Sequence, residues 1–228
     1  MKLLLDSANL NDVAYFNENF PLTGVTTNPT ILSREGGDIV GHLHKIRKII
    51  GDGKELHIQV TETEYGKIIR EAKIIAKTFG ENTYIKIPVS DAGLKATMEL
   101  TSCGIKVTET AIFTSFQALL AANAGAHYVA PYVSRLENIL ADDVGTIGEI
   151  KYVFDMSNSP SKILAASFKT AKQVLDAAMA GAHCATVGAD ILKLLSRHSS
   201  TDISVTGFSA DWQRVFGDNT LLSLLENN

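Results

Sequence analysis

The sequence predicts a single α/β domain, a (β/α)8 TIM barrel with an extra C-terminal helix. Eight short apolar segments alternate with helix-like stretches along the whole chain. Strands joined by helical crossovers run parallel, and eight of them close most simply into a barrel. The length of 228 residues is near the roughly 250 that this fold typically takes. An open doubly wound sheet is the alternative, and the lack of a Gly-rich dinucleotide motif after the first strand disfavours it.

The predicted strands are short, rich in Val, Ile or Leu, and bounded by Gly, Asp, Asn or Pro. In chain order they are Lys2–Asp6, Gly24–Thr27, Leu56–Val60, Thr83–Pro88, Ile105–Ile112, Tyr128–Val133, Lys162–Ser167 and Cys184–Val187. Each is too short to be a typical helix. The regular alternation places consecutive strands beside one another in the predicted sheet.

Apolar residues at helical spacing predict the helices between these strands. Asn9 caps the first helix, and the others are Ile39–Ile50, Glu64–Phe79, Ala92–Thr101, Ser115–Ala124, Val144–Phe154, Thr170–Ala180, Ala189–Ser196 and one or two within Ile203–Leu225. No linker or low-complexity segment interrupts the pattern. We therefore expect one domain over residues 1–228, with 201–228 as a C-terminal helical extension.

Composition excludes several classes of protein. The net charge is −4 and the isoelectric point about 5.9, so nucleic acid and anionic membranes are poor partners. Cys103 and Cys184 are too few for a disulfide scaffold and too distant for a zinc motif, which indicates a reducing cytoplasm. The histidines do not cluster at ligand spacing, so no metal is predicted. No apolar stretch reaches the roughly 20 residues of a membrane span.

Polar residues gather where the predicted strands end. The set comprises Asp6, Thr26, Asn28, Gln59, Lys86, Thr110, Tyr132, Arg135, Ser167 and Thr186. In TIM barrels the C-terminal ends of the strands carry the chemistry. A barrel with a purely structural role has no reason to send polar groups to this face, so the pattern predicts an enzyme.

Lys86 is the most informative of these residues. It stands between Ile85 and Ile87, and neighbouring side chains on a strand point to opposite faces. With both isoleucines packed outward against helices, Lys86 points into the barrel. Burial lowers the pKa of a lysine and yields the free amine that Schiff-base chemistry requires. The alternative is a lysine that reaches solvent from an edge strand.

Proton transfer at such a lysine needs further groups. Asp6 is the candidate carboxylate, with a helix N-cap as its alternative role. Asn28 and Thr26 are candidates to hold substrate hydroxyls, although Thr-Thr-Asn-Pro is also an ordinary turn sequence. Tyr132 and Thr110 are candidates to move a proton, with a half-buried core position as the alternative.

A phosphate group has its own candidates. Arg135 offers a planar fork of donors, and Ser167 precedes a predicted helix N-terminus, where anions are favoured. Barrel phosphate sites often lie near the last strands. The alternative for Arg135 is a surface ion pair with Glu137.

Several strings together give a specific resemblance. They are LLLDSAN (Leu3–Asn9), GVTTNPTI (Gly24–Ile31), YIKIPV (Tyr84–Val89), GIKVTETAIF (Gly104–Phe113), QALLAANAGAHYVAPYVSR (Gln117–Arg135), LAASFKT (Leu164–Thr170) and DWQRVFG (Asp211–Gly217). Their order and spread cover essentially the whole chain. The chain resembles the transaldolase family, and within it the small subgroup that includes fructose-6-phosphate aldolase.

This resemblance implies a class I aldol mechanism without metal or organic cofactor. Lys86 would form a Schiff base with the ketose carbonyl, and Asp6 and Asn28 match the family's active-site aspartate and asparagine. Arg135 and Ser167 match its phosphate contacts. The substrates would be small phosphorylated sugars, built from a dihydroxyacetone unit and an aldehyde such as glyceraldehyde 3-phosphate. The resemblance also implies a homo-oligomer, a pentamer or decamer, whose C-terminal helix reaches toward a neighbour.

Two activities compete within the family. A transaldolase passes the dihydroxyacetone unit to a second sugar phosphate, whereas the aldolase releases it. Transaldolases usually carry Glu where this chain has Gln59 and Phe where it has Tyr132, so both positions resemble the aldolase subgroup. A neutral amide cannot act as a base, which leaves that role to a phenol and a water. A non-catalytic phosphosugar-binding barrel is the third possibility, but it would not need Lys86 or Asp6.

Overall fold

A computed structural model describes residues 1–134 and 143–226, with the backbone alone for 143 and 144. Eight parallel strands close into one barrel in chain order, which confirms the predicted fold and excludes the open sheet. The strands are β1 Lys2–Asp6, β2 Leu22–Thr26, β3 Glu55–Gln59, β4 Thr83–Pro88, β5 Val107–Ile112, β6 Tyr128–Pro131, β7 Lys162–Ala165 and β8 Cys184–Val187. Their ends lie within about two residues of the predicted ends, the usual uncertainty of a boundary.

Helices follow the strands as the alternation predicts. They are α1 Leu10–Asn19, α2 Pro29–Glu35, α3 Ile39–Ile50, α4 Tyr65–Phe79, α5 Asp91–Ser102, α6 Ser115–Asn123, α7 Asp143–Met156, α8 Ala171–Met179, α9 Ala189–Leu195, α10 Ser199–Phe216 and α11 Leu221–Glu226. Among the helices of the described residues, α2 is the one without a predicted counterpart. It has seven residues, too few for a clear apolar period, and starts from the capping residue Asn28 followed by Pro29.

The two faces of the strands serve different purposes. Leu5, Val25 and Ile58 are buried with helix residues such as Phe16 and Ile46 in the layer between barrel and helices. The intervening residues of each strand face the barrel interior, because side chains alternate along a strand. This alternation explains how apolar strands also deliver polar groups to one site.

The N-terminal end of the barrel interior holds apolar and aromatic side chains, and Glu55 accepts a hydrogen bond from Tyr128 there. Leu4, Tyr128, Leu164 and Cys184 form a small buried cluster there, with Tyr84 packed against it. Two residues further along β1, β4 and β8, the interior side chains are the polar Asp6, Lys86 and Thr186. Strand register then brings Lys86 beside Gln59 on one side and Thr108 on the other.

The chain divides into two compact units, residues 1–192 and 193–228. The second unit contains α10 and α11, in agreement with one or two predicted helices there. None of the residues of α10 is buried, although Ile203, Phe208 and Val215 are among its exposed apolar side chains. Trp212 packs on Phe216 with ring centroids 4.4 Å apart. Among the described residues, no helix is both long and apolar enough to span a bilayer.

Candidate active site

A cavity of about 740 Å³ opens at the C-terminal ends of the strands. It is lined by most of the residues that the sequence analysis singled out, namely Asp6, Asn28, Gln59, Lys86, Tyr132, Ser167 and Thr186. Strands far apart in the sequence contribute these groups, because closure of the barrel brings all strand ends to one rim. These seven residues therefore share one space of the size that small-molecule sites have.

Lys86 lies at the centre of this site with only 5% of its surface exposed. Its Nζ donates a hydrogen bond of 2.8 Å to the backbone carbonyl of Thr27. Burial lowers the pKa of Lys86, and the charge of Asp6 acts in the opposite direction. The side chain does not reach solvent, so the snorkelling alternative does not apply. Lys86 is thus a buried amine that loses its proton more readily than a surface lysine.

Asp6 ends β1 and is held by a threonine hydroxyl. Thr26 Oγ1 donates to Asp6 Oδ1 over 2.7 Å. Burial raises the pKa of Asp6, while the charge of Lys86 and the hydrogen bond from Thr26 lower it. The cap of α1 is Asn9, so Asp6 does not have the alternative role of a helix cap. A carboxyl whose pKa burial raises is suited to accept a proton during a reaction.

Thr26 has a different position from the predicted one. It is fully buried behind Asp6 and is not part of the cavity lining. Its hydroxyl contacts Asp6 and Thr186 rather than the space that a substrate would fill. The sequence expectation that Thr26 holds a substrate hydroxyl therefore does not fit this geometry. Thr26 supports the carboxylate instead.

Thr110 and Tyr132 are hydrogen-bonded to each other. Thr110 Oγ1 donates to Tyr132 Oη over 3.2 Å, and Phe113 packs edge-on against the tyrosine ring. Thr110 is fully buried, so it reaches the cavity only through Tyr132. Beside this pair, Ala111 has φ 57°, at a register shift between β5 and β6. Such an irregularity redirects side chains at a strand end.

Gln59 and Asn28 bring amide groups to the cavity. The buried Oε1 of Gln59 accepts no hydrogen bond from any described residue. Asn28 Oδ1 accepts from the backbone nitrogen of Ile31 over 2.9 Å and so caps α2. The turn-and-cap role considered for Asn28 is therefore real. It fixes the side chain at the cavity wall, so the role does not exclude a contact to substrate.

Charged groups line the rim near Ser167. Ser167 has φ 63°, and its carbonyl oxygen accepts from Ser134. Thr170 rather than Ser167 caps the following helix α8. Lys169 and Arg34 also line the cavity, and the sequence predicted no role for either. Arg34 lies on α2, so only recognition of that helix would have drawn attention to it.

Arg135, the other predicted phosphate contact, lies outside the described residues. Among the residues that are described, no three His, Cys, Asp or Glu side chains are grouped so as to hold a metal ion. The absence of a metal or organic cofactor from the reaction stays an expectation from the sequence.

His57 forms the floor beneath the site. Its Nδ1 lies 3.0 Å from Thr108 Oγ1 and its Nε2 3.3 Å from Glu55 Oε2, and its ring stacks on Tyr84. Burial lowers the pKa of His57, although Glu55 opposes this through a hydrogen bond and its charge. A neutral imidazole here adds no positive charge under Lys86.

Taken together, the cavity pairs the buried amine of Lys86 with the partly buried carboxyl of Asp6. The amine can act as a nucleophile toward a carbonyl, and the carboxyl can take a proton from a neighbouring hydroxyl. Tyr132 adds a phenol from the opposite side of the barrel. These are the groups that carbonyl addition and carbon–carbon cleavage require.

Comparison with known proteins agrees with this chemistry. The family model described as Transaldolase/Fructose-6-phosphate aldolase matches residues 3–220. A probable fructose-6-phosphate aldolase from Streptococcus pneumoniae is 42% identical over 213 residues, 93% of this chain and 96% of that protein. A probable transaldolase from Clostridium acetobutylicum is 41% identical over 216 residues, 95% and 99% of the two chains. A probable transaldolase from Maridesulfovibrio salexigens is 40% identical over 215 residues, which cover 94% of this chain and 99% of that protein. The chain therefore belongs to the transaldolase/fructose-6-phosphate aldolase family.

Proposed function

We propose that the chain is a class I aldolase that cleaves fructose 6-phosphate to dihydroxyacetone and glyceraldehyde 3-phosphate, or forms it from them. The observation that carries this proposal is the buried amine of Lys86 in a cavity that it shares with Asp6. Family membership supports an enzyme of this general kind. The choice of the aldolase over the transferase rests on Gln59 and Tyr132.

The reaction starts at Lys86. Its neutral amine adds to the ketose carbonyl to give a carbinolamine. A proton from solvent on the carbinolamine hydroxyl lets water leave, and a protonated Schiff base results. Asp6 takes the proton of the C4 hydroxyl as the C3–C4 bond breaks. The bond electrons move to the Schiff base and form an enamine, while glyceraldehyde 3-phosphate leaves. Protonation of the enamine carbon and addition of water then release dihydroxyacetone and restore the free amine.

Water handling separates the two activities. Release of dihydroxyacetone requires a water positioned and activated at the Schiff base. Tyr132, with Thr110 as its donor, supplies a phenol for that water, and Gln59 supplies an Oε1 that accepts no hydrogen bond from the described residues. Because the amide of Gln59 is uncharged and cannot act as a base, the phenol of Tyr132 accepts and donates the protons. Asn28 lines the same cavity and orients the hydroxyls of the sugar.

Candidate phosphate contacts lie at the cavity wall, which also carries Asp12 and Asp190. Ser167 and Lys169 follow β7, and Arg34 lines the cavity from α2. These groups, and Arg135 as the resemblance implies, would favour a phosphorylated aldehyde over a neutral one. We accordingly propose a sugar phosphate as the substrate class.

A transaldolase is the alternative function. It is favoured by the relatives at about 40% identity that are named probable transaldolases. The same Lys86 and Asp6 serve both activities up to cleavage. The difference is whether the enamine is protonated and hydrolysed or attacks a second aldehyde.

The test is release of glyceraldehyde 3-phosphate from fructose 6-phosphate without an acceptor aldehyde. Sustained turnover supports the aldolase. At most about one product per subunit, followed by turnover only after erythrose 4-phosphate is added, identifies a transaldolase. Lys86→Met should abolish both reactions, whereas Lys73→Met, at an exposed lysine that bridges to Glu99, should leave them unchanged. No release by the wild type under either condition contradicts both functions.

We further propose a cytoplasmic homo-oligomer, a pentamer or decamer as the resemblance implies. The exposed apolar residues of α10 support an assembled state, because soluble proteins seldom leave so much apolar surface uncovered. Light scattering on the purified chain tests this. A monomer at micromolar concentration contradicts it.

A further inference from the structure

Thr186 has no role in the mechanism described so far, yet it lies in the site. It is on β8, with 3% of its surface exposed, and it lines the cavity. Its Oγ1 is 2.6 Å from Thr26 Oγ1, and Thr26 Oγ1 is 2.7 Å from Asp6 Oδ1. Strand β1 lies between β2 and β8, so the two threonines reach past it from either side. Together they form a chain of two buried hydroxyls that ends on the carboxyl group.

The direction of this chain follows from counting protons. A threonine hydroxyl has one proton to donate, and an ionised carboxylate can only accept. When Asp6 is ionised, the proton of Thr26 is used on Asp6. The short contact between the two threonines is then a hydrogen bond in which Thr186 is the donor. Hydrogen bonds in series polarise one another, so the donation from Thr186 strengthens the one that Asp6 receives.

We propose that Thr186 is a positioning residue for Asp6, acting through Thr26 to hold one carboxylate oxygen and keep the group ionised. This inference rests on the proposed function only in taking Asp6 as the proton acceptor. Oδ1 is held by Thr26, so Oδ2 is the oxygen left for the substrate hydroxyl. Thr186 thereby aligns the base without touching the reacting atoms.

Other charges also act on Asp6. Lys86 faces it from β4 and lowers its pKa. Asp12 of α1, Arg34 of α2, Lys169 and Asp190 of α9 line the same cavity. These groups stay in place when Thr186 is changed, so a difference between variants at Thr186 reports the hydroxyl chain.

The decisive variant is Thr186→Val, which keeps the shape of the side chain but removes its hydroxyl. Loss of the donor weakens the bond from Thr26 and raises the pKa of Asp6. The Lys86–Asp6 pair gives the acid limb of kcat/KM for fructose 6-phosphate cleavage two apparent pKa values, and the lower one should then rise by about half a unit. Thr186→Ser, which restores the donor, should return the limb to the wild-type position.

The control is Thr23→Val. Thr23 lies on the same strand as Thr26, and its hydroxyl donates to the backbone carbonyl of Leu3 over 3.1 Å. The substitution removes a partly buried threonine hydroxyl between β1 and β2 but leaves the hydrogen bonds from Thr186 to Thr26 and from Thr26 to Asp6 in place. Its pH profile should match that of the wild type.

A second measurement does not depend on turnover. The ¹³C shift of the Asp6 carboxyl, assigned by its loss in Asp6→Asn, gives the pKa directly. We expect the Thr186→Val value above the wild-type value and the Thr186→Ser value close to it. If Thr186→Val does not fold, Thr186→Ala provides the same test. An Asp6 titration unchanged on loss of the hydroxyl would overturn the inference, even in a chain that cleaves fructose 6-phosphate. If the Asp6 titration shifts in a chain that does not cleave fructose 6-phosphate, the role of Thr186 is supported and the proposed substrate is refuted.

Discussion

Replacement of Glu109 by Gln should change how the stability of the barrel depends on pH. Glu109 is fully buried on β5, beside Ile87 of β4 and Val129 of β6. Thr97 of α5 donates to its Oε1 over 2.6 Å, and its Oε2 has no partner among the described residues. Burial raises the pKa of Glu109 from 4.5 to about 7, although the bond from Thr97 opposes the shift.

The size of the effect follows from that shift. A carboxyl whose pKa is higher in the folded than in the unfolded chain stabilises the fold. This contribution is complete at pH values below the pKa of the unfolded chain. The contribution is lost as pH rises from 4.5 to about 7 and is constant above that. Each pKa unit corresponds to about 1.4 kcal/mol, so the loss is about 3 kcal/mol. Glu109→Gln cannot titrate, and this loss should be absent from it.

Urea unfolding at about pH 5 and about pH 8 measures the effect at a fixed protein concentration, because assembly also affects stability. The buried amide of the variant carries its own penalty, but that penalty is the same at both pH values. The free energy of unfolding of Glu109→Gln, relative to that of the wild type, should therefore rise by about 2–3 kcal/mol from pH 5 to pH 8. Glu81→Gln, at an exposed position, is the control and should show no such gain. A difference between Glu109→Gln and wild type that does not change with pH would refute the reasoning.

Three further changes test the site and the barrel. Asp6→Asn removes the proton acceptor but keeps Lys86, so kcat should fall about 10²–10⁴-fold while borohydride still traps a ketose on the chain. Loss of trapping would mean that Asp6 acts before cleavage. Tyr132→Phe removes the phenol that Thr110 contacts, so release without acceptor should fall more than transfer to erythrose 4-phosphate. Equal losses in both assays would contradict the water-handling role. In Gly24→Ala the new methyl group would overlap the backbone carbonyl of Glu55, and we expect a loss of about 1–3 kcal/mol in unfolding free energy. Wild-type stability would show that β2 and β3 can separate to admit it.

The sequence predicted the strands well because most of them carry one clear signal. Thr83–Pro88 is apolar and β-branched around Lys86, and its predicted bounds match β4. Helix α2 was missed because Thr-Thr-Asn-Pro indicates a turn and seven residues hold no full apolar pattern. The turn residues were correctly recognised, but a cap and a turn use the same residue types.

The sequence predicted which residues belong to the site better than it predicted how deeply each of them is buried. Strand ends identify Asp6, Lys86 and Tyr132 as neighbours, since all strands finish at one rim. They do not tell which polar groups line the cavity and which lie behind it. Thr26 illustrates this, because only the closed barrel shows that its hydroxyl is directed to Asp6 and Thr186. In the run Thr108-Glu109-Thr110 every residue is polar, so alternation alone does not reveal that a carboxyl is buried against α5.

In the reactive state of this site, Lys86 and Asp6 together hold one proton fewer than they would as an ion pair. A charged Lys86 beside a charged Asp6 satisfies both groups, but the amine must be neutral to attack and the carboxylate ionised to accept a proton. That state has a net negative charge inside a buried pocket, which burial of Asp6 opposes. The hydroxyl of Thr26, with Thr186 behind it, stabilises the carboxylate without bringing in another charge. The carbonyl of Thr27 accepts from Lys86 Nζ whether the amine is charged or neutral. Neutral donors and acceptors thus support the amine and the carboxylate in the form that the proposed aldol reaction uses, without a further charged side chain in contact with Asp6.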